Sequence, residues 1–210
     1  MFIKTSYVFY KRILDIVFSF SILFFLFPIY LIISILIIRD SRGPIIFSHK
    51  RLGKNGKIFK CYKFRTMYLD SEKKLHDILN KNEELKKEFE EKFKLTKDPR
   101  ITSIGKFLRR TSLDELPQFL NVFLGQMSVI GPRPIVEKEQ NRYGKEIINL
   151  LSVKPGITGL WQVEGRSNLK YSQRKELDLY YVENKNFIID LFILCKTILV
   201  IFIPSSNGAF

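Results

Sequence analysis

The sequence lacks most of the short motifs that mark familiar catalytic sites. It contains no GxxxxGK[ST] phosphate loop, no GxGxxG and no HExxH zinc motif, and its two histidines are His49 and His76. The two cysteines, Cys61 and Cys195, lie far apart without CxxC or Cys/His spacing, which argues against a disulfide framework and a zinc site. We therefore expect reduced thiols in a cytosol-facing body, and a mechanism that does not rest on histidine.

Acidic residues are scarce relative to basic ones. The 210 residues include 35 Lys and Arg against 21 Asp and Glu, which gives a net charge of +14. This balance predicts an anionic partner such as nucleic acid, phospholipid headgroups or a phosphorylated substrate. No nucleic-acid-binding module is recognisable and a membrane segment is present, so we expect no nucleic acid among the partners.

Charged residues are absent from Ile16 to Ile38, a run of 23 residues rich in Phe, Ile and Leu. As a helix, this length crosses a hydrocarbon core of ~30 Å. No small-residue cleavage site follows, which argues against a cleaved signal peptide. Basic residues flank both ends, and Pro28 near the middle removes a helical hydrogen bond. The pattern fits both a re-entrant helix broken near Pro28 and a spanning helix that tolerates a proline.

The rest of the chain predicts a mainly α-helical body with a few short strands, an α+β fold. Residues 39–70 suit short strands or interfacial turns, and residues 71–95 have the apolar spacing of an amphipathic helix or helix pair. Asp190 and Lys196 interrupt the apolar run from Phe187 to Ile203, which favours an interfacial amphipathic helix. We divide the chain into a membrane anchor, residues 1–40, and a catalytic body, residues 41–210.

Two adjacent carboxylates, Asp114 and Glu115, follow a pair of arginines at the predicted start of a helix that ends at Gly125. Ser112 and Glu115 match the capping-box pattern, whereas Pro117 fits the first turn better if Asp114 is the cap. At a helix N-terminus the dipole favours ionised carboxylates, which can attack phosphorus or hold a divalent metal. Helix capping without chemistry is the alternative.

A second stretch, Gly131-Pro132-Arg133-Pro134, restricts the backbone around one arginine. A guanidinium held in this way suits bidentate binding of phosphate oxygens. A plain turn with a solvated arginine is the alternative.

Together with other stretches, these residues resemble the bacterial sugar transferase family, the monotopic phosphoglycosyl transferases. The stretches that carry the resemblance cover nearly the whole chain: Lys11 to Asp15, Tyr62 to Met67, Ser112 to Gln118, Asn121-Val122, Met127-Ser128, Gly131 to Pro134, Lys154 to Gln162 and Glu176 to Asp178.

The resemblance implies a re-entrant membrane helix broken near Pro28, interfacial helices, and an active site that faces the cytosol at the bacterial inner membrane. The break in this family is usually Ser-Pro, whereas Phe27 precedes the proline here. Ser19, Ser21 or another group must then satisfy the freed carbonyl, or the bend differs.

The resemblance also implies roles for individual residues. Asp114 is the nucleophile, Glu115 binds Mg²⁺, and Arg109 and Arg133 bind phosphate groups. Further candidates for the site are the phosphate ligands Lys63, Arg65 and Arg166, together with Gln162 and Asp178.

The implied reaction has two steps. Asp114 attacks the sugar-bearing phosphorus of a UDP-sugar and releases UMP, and polyprenyl (undecaprenyl) phosphate then attacks the aspartyl intermediate. Two alternatives stay open: the same transfer in a ternary complex, and a non-catalytic protein whose basic face binds membrane lipid or a partner. The expected partners are therefore UDP-sugar, polyprenyl phosphate and inner-membrane lipid, and a homo-oligomer is compatible with these.

Overall fold

The computed structural model describes residues 2–92, 95, 98–165 and 169–202. The helices in these residues are α1 (Phe2–Phe25), α2 (Phe27–Asp40), α3 (Ser71–Lys81), α4 (Glu83–Lys92), α5 (Ser103–Arg110), α6 (Gln118–Phe123), α7 (Gln140–Tyr143), α8 (Ile147–Leu150), α9 (Leu160–Glu164), α10 (Tyr171–Asn184) and α11 (Phe187–Phe202). The strands are β1 (Ile46–Leu52), β2 (Ile58–Phe64), β3 (Ser128–Ile130) and β4 (Gly156–Thr158). The prediction of a mainly helical fold with a few short strands is confirmed.

The apolar N-terminal segment is broken between α1 and α2. The two helices meet at Leu26 with a bend of 60°, and Pro28 lies in the first turn of α2, where its missing N–H is tolerated. Within the described residues no single helix has the length and apolar content to cross a membrane, but the bent pair has both. The predicted break near Pro28 is confirmed.

Neither of the two serines considered for the break reaches it. Ser19 Oγ donates to the carbonyl of Asp15 at 2.6 Å, and Ser21 Oγ donates to the carbonyl of Val17 at 2.9 Å. Both hydroxyls therefore serve the preceding turn of α1 and not the carbonyl that Pro28 leaves free.

Polar side chains of α1 fasten the segment to the rest of the protein. The Arg12 guanidinium donates to the carbonyls of Val122 and Phe123 at 2.7 and 2.9 Å, so a cation lies at the C-terminal end of α6. The buried carboxylate of Asp15 accepts the N–H of Val129 on β3 at 2.9 Å. Helix α1 is thereby held in register with both α6 and β3.

The helix predicted from Phe187 is α11, and both charges within it are paired. Asp190 is buried and accepts hydrogen bonds of 2.7–2.8 Å from Tyr7, Lys11 and Tyr181. Lys196 pairs with the glutamate of α9 at 2.8 Å. The charges that interrupt the apolar run thus join α11 to α1, α9 and α10, while its interfacial position stays a prediction.

The segments between the two ends follow the predicted pattern. Strands β1 and β2 form an antiparallel hairpin from the pair Ile46–Phe64 to the pair Leu52–Ile58. Of the predicted amphipathic helix or helix pair, the structure shows the pair, α3 and α4, and Gly125, with φ of +81°, follows the end of α6 as predicted. Both cysteines are free thiols.

Candidate active site

The adjacent carboxylates lie in a 3-10 turn, Leu113–Glu115, one turn ahead of an α-helix. Ser112 before it adopts a left-handed backbone with φ of 58°, and its side chain makes no capping hydrogen bond. Helix α6 begins at Gln118, with Pro117 at the N-cap position. The prediction of a helix capped by Ser112 or Asp114 is therefore wrong, because the proline suits the position just ahead of the helix and the shorter 3-10 hydrogen bonds carry the chain up to it.

Contacts from three directions fix this turn. The Tyr30 hydroxyl on α2 donates to the carbonyl of Leu116 at 2.6 Å, and the Leu113 and Leu116 side chains pack against a buried cluster that joins α2, β2 and α5. Asn121, fully buried on α6, accepts the N–H of Tyr62 on β2 at 3.0 Å. The apolar segment, the hairpin and α6 therefore all position the carboxylates.

Lys63 on β2 contacts both carboxylates. Its Nζ lies 2.6 Å from Glu115 Oε1 and 3.8 Å from Asp114 Oδ2. Asp114 is only 6% exposed, and burial raises the pKa of its carboxyl to about 6. The charges of Lys63 and Arg109 partly offset this rise, whereas the charge of Glu115 adds to it. Burial also opposes ionisation of Glu115, but Lys63, Arg133 and Gln118 together outweigh it, and the pKa of Glu115 is lowered. Asp114 is thus the more basic carboxylate, and both are ionised above about pH 6.

Arg109 reaches the site from the last turn of α5. Its Nε donates to Thr66 Oγ1 at 2.9 Å, and its charge acts on Asp114. Thr102 caps α5 by accepting the N–H of Gly105 at 3.0 Å. A Cβ at Gly105 would collide with the backbone of Thr66, so glycine permits the close packing that places Arg109.

The loop that carries Arg133 is locked to a second segment by paired backbone bonds. Strands β3 and β4 are parallel, and the Gly131 N–H donates to the Thr158 carbonyl at 2.9 Å, while the Gly156 N–H donates to the Pro132 carbonyl at 2.8 Å. A Cβ on either glycine would collide with the backbone of the other segment. The glycines of two separate sequence stretches are therefore needed for one close contact.

Arg133 links this loop to α9, α10 and the carboxylates. Its backbone N–H donates a hydrogen bond to the carboxyl of Asp178, which is 2% exposed. Burial raises the pKa of that carboxyl, and the charge of Arg133 partly offsets the rise. The Arg133 guanidinium lies 5.6 Å from the Trp161 ring centroid, and its charge helps to lower the pKa of Glu115. The structure thus gathers Asp114, Glu115, Lys63, Arg109 and Arg133 around one site, with Asp178 supporting the arginine.

Three other predicted residues stand apart from this arrangement. The Arg65 guanidinium is buried and donates to the carbonyls of Ser41 and Arg42, and Gln162 Nε2 donates to the carbonyl of Ile157 at 2.8 Å. Both side chains are engaged with backbone, and their substrate roles stay predictions. Arg166 lies outside the described residues.

The two carboxylates fit a magnesium ion in number and chemistry. Among the described residues, no group of three or more His, Cys, Asp or Glu side chains is arranged to hold a metal. Mg²⁺ is usually held by one or two carboxylates, with substrate phosphates and water as the other ligands. Asp114 and Glu115 provide such a pair, and the cofactor stays a prediction.

Two arginines next to this site, Arg51 and Arg174, were not among the site residues predicted from the sequence. Arg51 is half-buried on β1, lies 3.6 Å from Glu139, and acts electrostatically on Arg133. The Arg174 guanidinium lies 5.0 Å from the Trp161 ring centroid. The signal for Arg174 was its spacing: it precedes Asp178 by four residues and so shares a face of α10 with it.

Comparison with known proteins identifies the family of the chain. A sequence profile described as bacterial sugar transferase matches residues 6–204. The undecaprenyl-phosphate galactose phosphotransferase of Salmonella typhimurium is 46% identical over 198 residues, which cover 94% of this chain and 41% of that protein. The UDP-glucose:undecaprenyl-phosphate glucose-1-phosphate transferase of Klebsiella pneumoniae is 39% identical over 206 residues, covering 94% and 41%. The exopolysaccharide production protein ExoY of Rhizobium meliloti is 41% identical over 188 residues, covering 90% and 83%.

The chain therefore spans less than half the length of the first two relatives and most of the third. The profile match, in contrast, extends over nearly all of the chain, including every element that builds the carboxylate site. The protein belongs to the bacterial sugar transferase family.

Proposed function

We propose that this protein transfers a sugar 1-phosphate from a UDP-sugar to polyprenyl phosphate and releases UMP, as the first membrane step of a surface polysaccharide or glycoconjugate. The observation that carries the proposal is the environment of Asp114. This carboxylate is buried, has a pKa of about 6, and faces Lys63 and Arg109 beside an ionised Glu115. The names of the relatives support the classes of donor and acceptor.

The apolar segment supports a lipid acceptor. Tyr30 of α2 contacts the catalytic turn directly, so a substrate phosphate at Asp114 lies close to the helices that would contact membrane. The exposed side chains of these helices include many large apolar residues, among them Phe20, Phe24, Phe25, Phe27 and Leu31. An exposed apolar surface of this kind marks a site of membrane or protein contact.

The proposed chemistry proceeds in two displacements at one phosphorus. An Asp114 carboxylate oxygen attacks the sugar-bearing phosphorus, the bond to the UMP phosphate oxygen breaks, and UMP leaves with the electron pair. An oxygen of polyprenyl phosphate then attacks the same phosphorus and displaces the carboxylate. Two multiply charged phosphates repel each other, and a covalent intermediate allows the first to leave before the second arrives.

The cations of the site would offset the charge of the transferring group. Lys63 and Arg109 flank Asp114, and Arg133 lies on the side of Glu115. Mg²⁺ held by Glu115, when bound, would supply further charge neutralisation at the phosphates. Asp178 would act through Arg133 by holding its backbone.

The pH dependence of UMP release follows from the pKa of Asp114. The nucleophile must be ionised, so the rate should fall as the pH decreases through about 6. Lys63 lowers that pKa, so Lys63→Gln should move this acid limb to higher pH as well as slow the reaction. Lys60→Gln, an exposed neighbour on β2, is the matched control and should leave the profile unchanged. A profile with the same acid limb in Lys63→Gln and wild type would contradict the assignment of that limb to Asp114.

We further propose that the α1–α2 pair is re-entrant, with the active site facing the cytosol at the inner membrane. The bend at Leu26 and the basic residues at both ends of the segment support this topology. In a Cys195→Ser background, cysteines introduced at Thr5 and Ser41 should react with a membrane-impermeant maleimide from the same side. Labelling from opposite sides would instead establish a spanning segment.

Incubation of membrane fractions with a panel of UDP-sugars and polyprenyl phosphate tests the proposed function. UMP release should depend on one or a few of the sugars and yield a polyprenyl diphosphate sugar. A non-catalytic lipid-binding protein would release no UMP with any donor. Its lipid binding would also survive the removal of both carboxylates.

A further inference from the structure

Beside the carboxylates, two arginines that the proposed chemistry does not use, Arg51 and Arg174, act electrostatically on Arg133. The guanidinium groups of Arg133 and Arg174 lie 5.6 and 5.0 Å from the centroid of the same Trp161 ring. Each of Arg51 and Arg174 has its pKa lowered by burial and then by the charge of Arg133. Arg51 and Arg174 are therefore each held within electrostatic reach of Arg133, an arrangement that a bound anion would stabilise.

This arginine cluster, Arg51, Arg133 and Arg174, is built on rigid elements. Arg133 lies in the loop that Gly131 and Gly156 hold against β4, and its backbone N–H donates to the carboxyl of Asp178. Arg174 Nε donates to the carbonyl of Leu169 at 3.0 Å. The buried donor Trp161 Nε1 has no hydrogen-bond partner among the described residues. Buried polar atoms of this kind are uncommon in folded proteins and are typical of sites that complete themselves with a ligand or water.

The position of the cluster relative to Asp114 defines which part of a substrate it would contact. Lys63 acts on both carboxylates and Arg109 acts on Asp114, whereas Arg51 and Arg133 act on Glu115. In a displacement at phosphorus, the attacking and leaving oxygens lie on opposite sides of the phosphorus. With Asp114 as the attacking group, the leaving phosphate therefore points away from it, toward the side of Glu115 and Arg133.

Apolar contacts separate the side of the site that carries the arginine cluster from the side next to α1 and α2, where a lipid substrate would lie. Arg109 follows Leu108, which belongs to the buried cluster formed with Ile33 and Ile37 of α2. Arg174 lies on α10, which contributes to a different cluster; the described members of that cluster come from β1, α7, α8, α10 and loops, and include no residue of α1 or α2. A water-soluble donor suits the second side, and a lipid acceptor suits the first.

We infer that Arg133 and Arg174 form the subsite for the nucleotide-side phosphate of the donor, with Arg51 adding positive charge, so that UMP departs along this face of α10. The inference rests on the proposed function, because it takes UMP as the leaving group. It assigns to Arg174 a binding role and to Trp161 the role of holding the two guanidinium groups at a fixed separation.

Binding of UMP to the purified full chain, measured by titration calorimetry without a sugar donor, tests the inference. Arg174→Gln keeps a donor for the Leu169 carbonyl but removes the charge, so it should weaken UMP binding at least tenfold. Arg174→Lys should lose less, because it keeps the charge but not the bidentate geometry. Lys145→Ala, which removes one charge from an exposed residue between α7 and α8, should bind UMP as wild type does.

In turnover, Arg174→Gln should raise KM for the UDP-sugar and leave KM for polyprenyl phosphate unchanged. Equal UMP binding by Arg174→Gln and wild type would overturn the inference. It would also be overturned if Arg174→Gln raised only the KM for polyprenyl phosphate, because that result would place the lipid phosphate at this cluster. The proposed function fails by a different result: wild type that releases no UMP from any UDP-sugar. Melting temperatures of the variants close to that of wild type exclude a loss of folding as the cause.

Discussion

Replacing Asp114 by Asn should reduce sugar-phosphate transfer by about 10³-fold or more, because the amide keeps the size of the side chain but removes the attacking oxygen anion. The protein should still fold, because contacts of Tyr30, Leu113 and Leu116 hold the turn and none of them involves the Asp114 side chain. Asp70→Asn, an exposed aspartate at the start of α3, is the matched control and should keep full activity.

The same variant should be more stable than wild type at neutral and alkaline pH. The pKa of Asp114 is raised from its ordinary value of 3.8 to about 6, so the unfolded chain releases this proton at lower pH than the folded protein. Wild type therefore loses stability relative to Asp114→Asn as the pH rises through this window, by at most about 3 kcal/mol. Thermal melting at pH 8 and pH 4 checks the sign: the Asn variant should melt higher at pH 8, and the difference should shrink toward pH 4.

A loss of activity without a gain in stability at pH 8 would mean that Asp114 is not a destabilised, buried carboxylate. A gain in stability with full activity would mean that it is buried but not the nucleophile. The two readouts thus separate the environment of the side chain from its chemical role.

Replacing Glu115 by Gln should slow transfer by roughly 10²–10³-fold, through a mechanism different from that of Asp114→Asn. The change removes the partner that Lys63 holds at 2.6 Å and the proposed Mg²⁺ ligand. It also removes a negative charge that raises the pKa of Asp114, so the acid limb of the pH profile should move to lower pH. This direction is opposite to that expected for Lys63→Gln.

Steady-state rates of Glu115→Gln across pH and Mg²⁺ concentration test this prediction. Excess Mg²⁺ should restore part of the activity of Glu115→Gln and none of that of Asp114→Asn. Glu146→Gln, an exposed carboxylate that pairs with Lys175, is the control and should follow wild type. An acid limb that moves upward in Glu115→Gln would contradict the electrostatic coupling of the two carboxylates.

The sequence was most informative where a pattern acts locally. The break near Pro28, the short strands in residues 39–70, the helices in residues 71–95 and the stop at Gly125 each follow from backbone chemistry or from the periodicity of apolar residues. The start of α6 was misplaced because Ser112, Asp114 and Pro117 each allow a helix to begin nearby, and the choice depends on the packing of Leu113 and Leu116 against α2.

The contacts between distant segments could not be read from spacing alone. Lys63 lies more than 50 residues from Glu115 in the chain, and Arg133, in the loop whose Gly131 packs against Gly156, meets Asp178 on a separate helix. Arg12 and Asp15 belong to a recognised stretch, but their partners at the end of α6 and on β3 depend on the tertiary fold. The resemblance to a family identified most of the site residues; the structure added their distances and the positions of Arg51 and Arg174.

The most direct test of the central claim is to incubate the purified enzyme with its UDP-sugar alone, without polyprenyl phosphate. Nucleophilic attack by Asp114 predicts release of up to one UMP per active site, together with a phosphosugar adduct that mass spectrometry places on Asp114. Glu115 should carry no such adduct, and Asp114→Asn should release no UMP. UMP release that requires polyprenyl phosphate, with no adduct trapped on Asp114, would contradict the covalent mechanism and support transfer within a ternary complex.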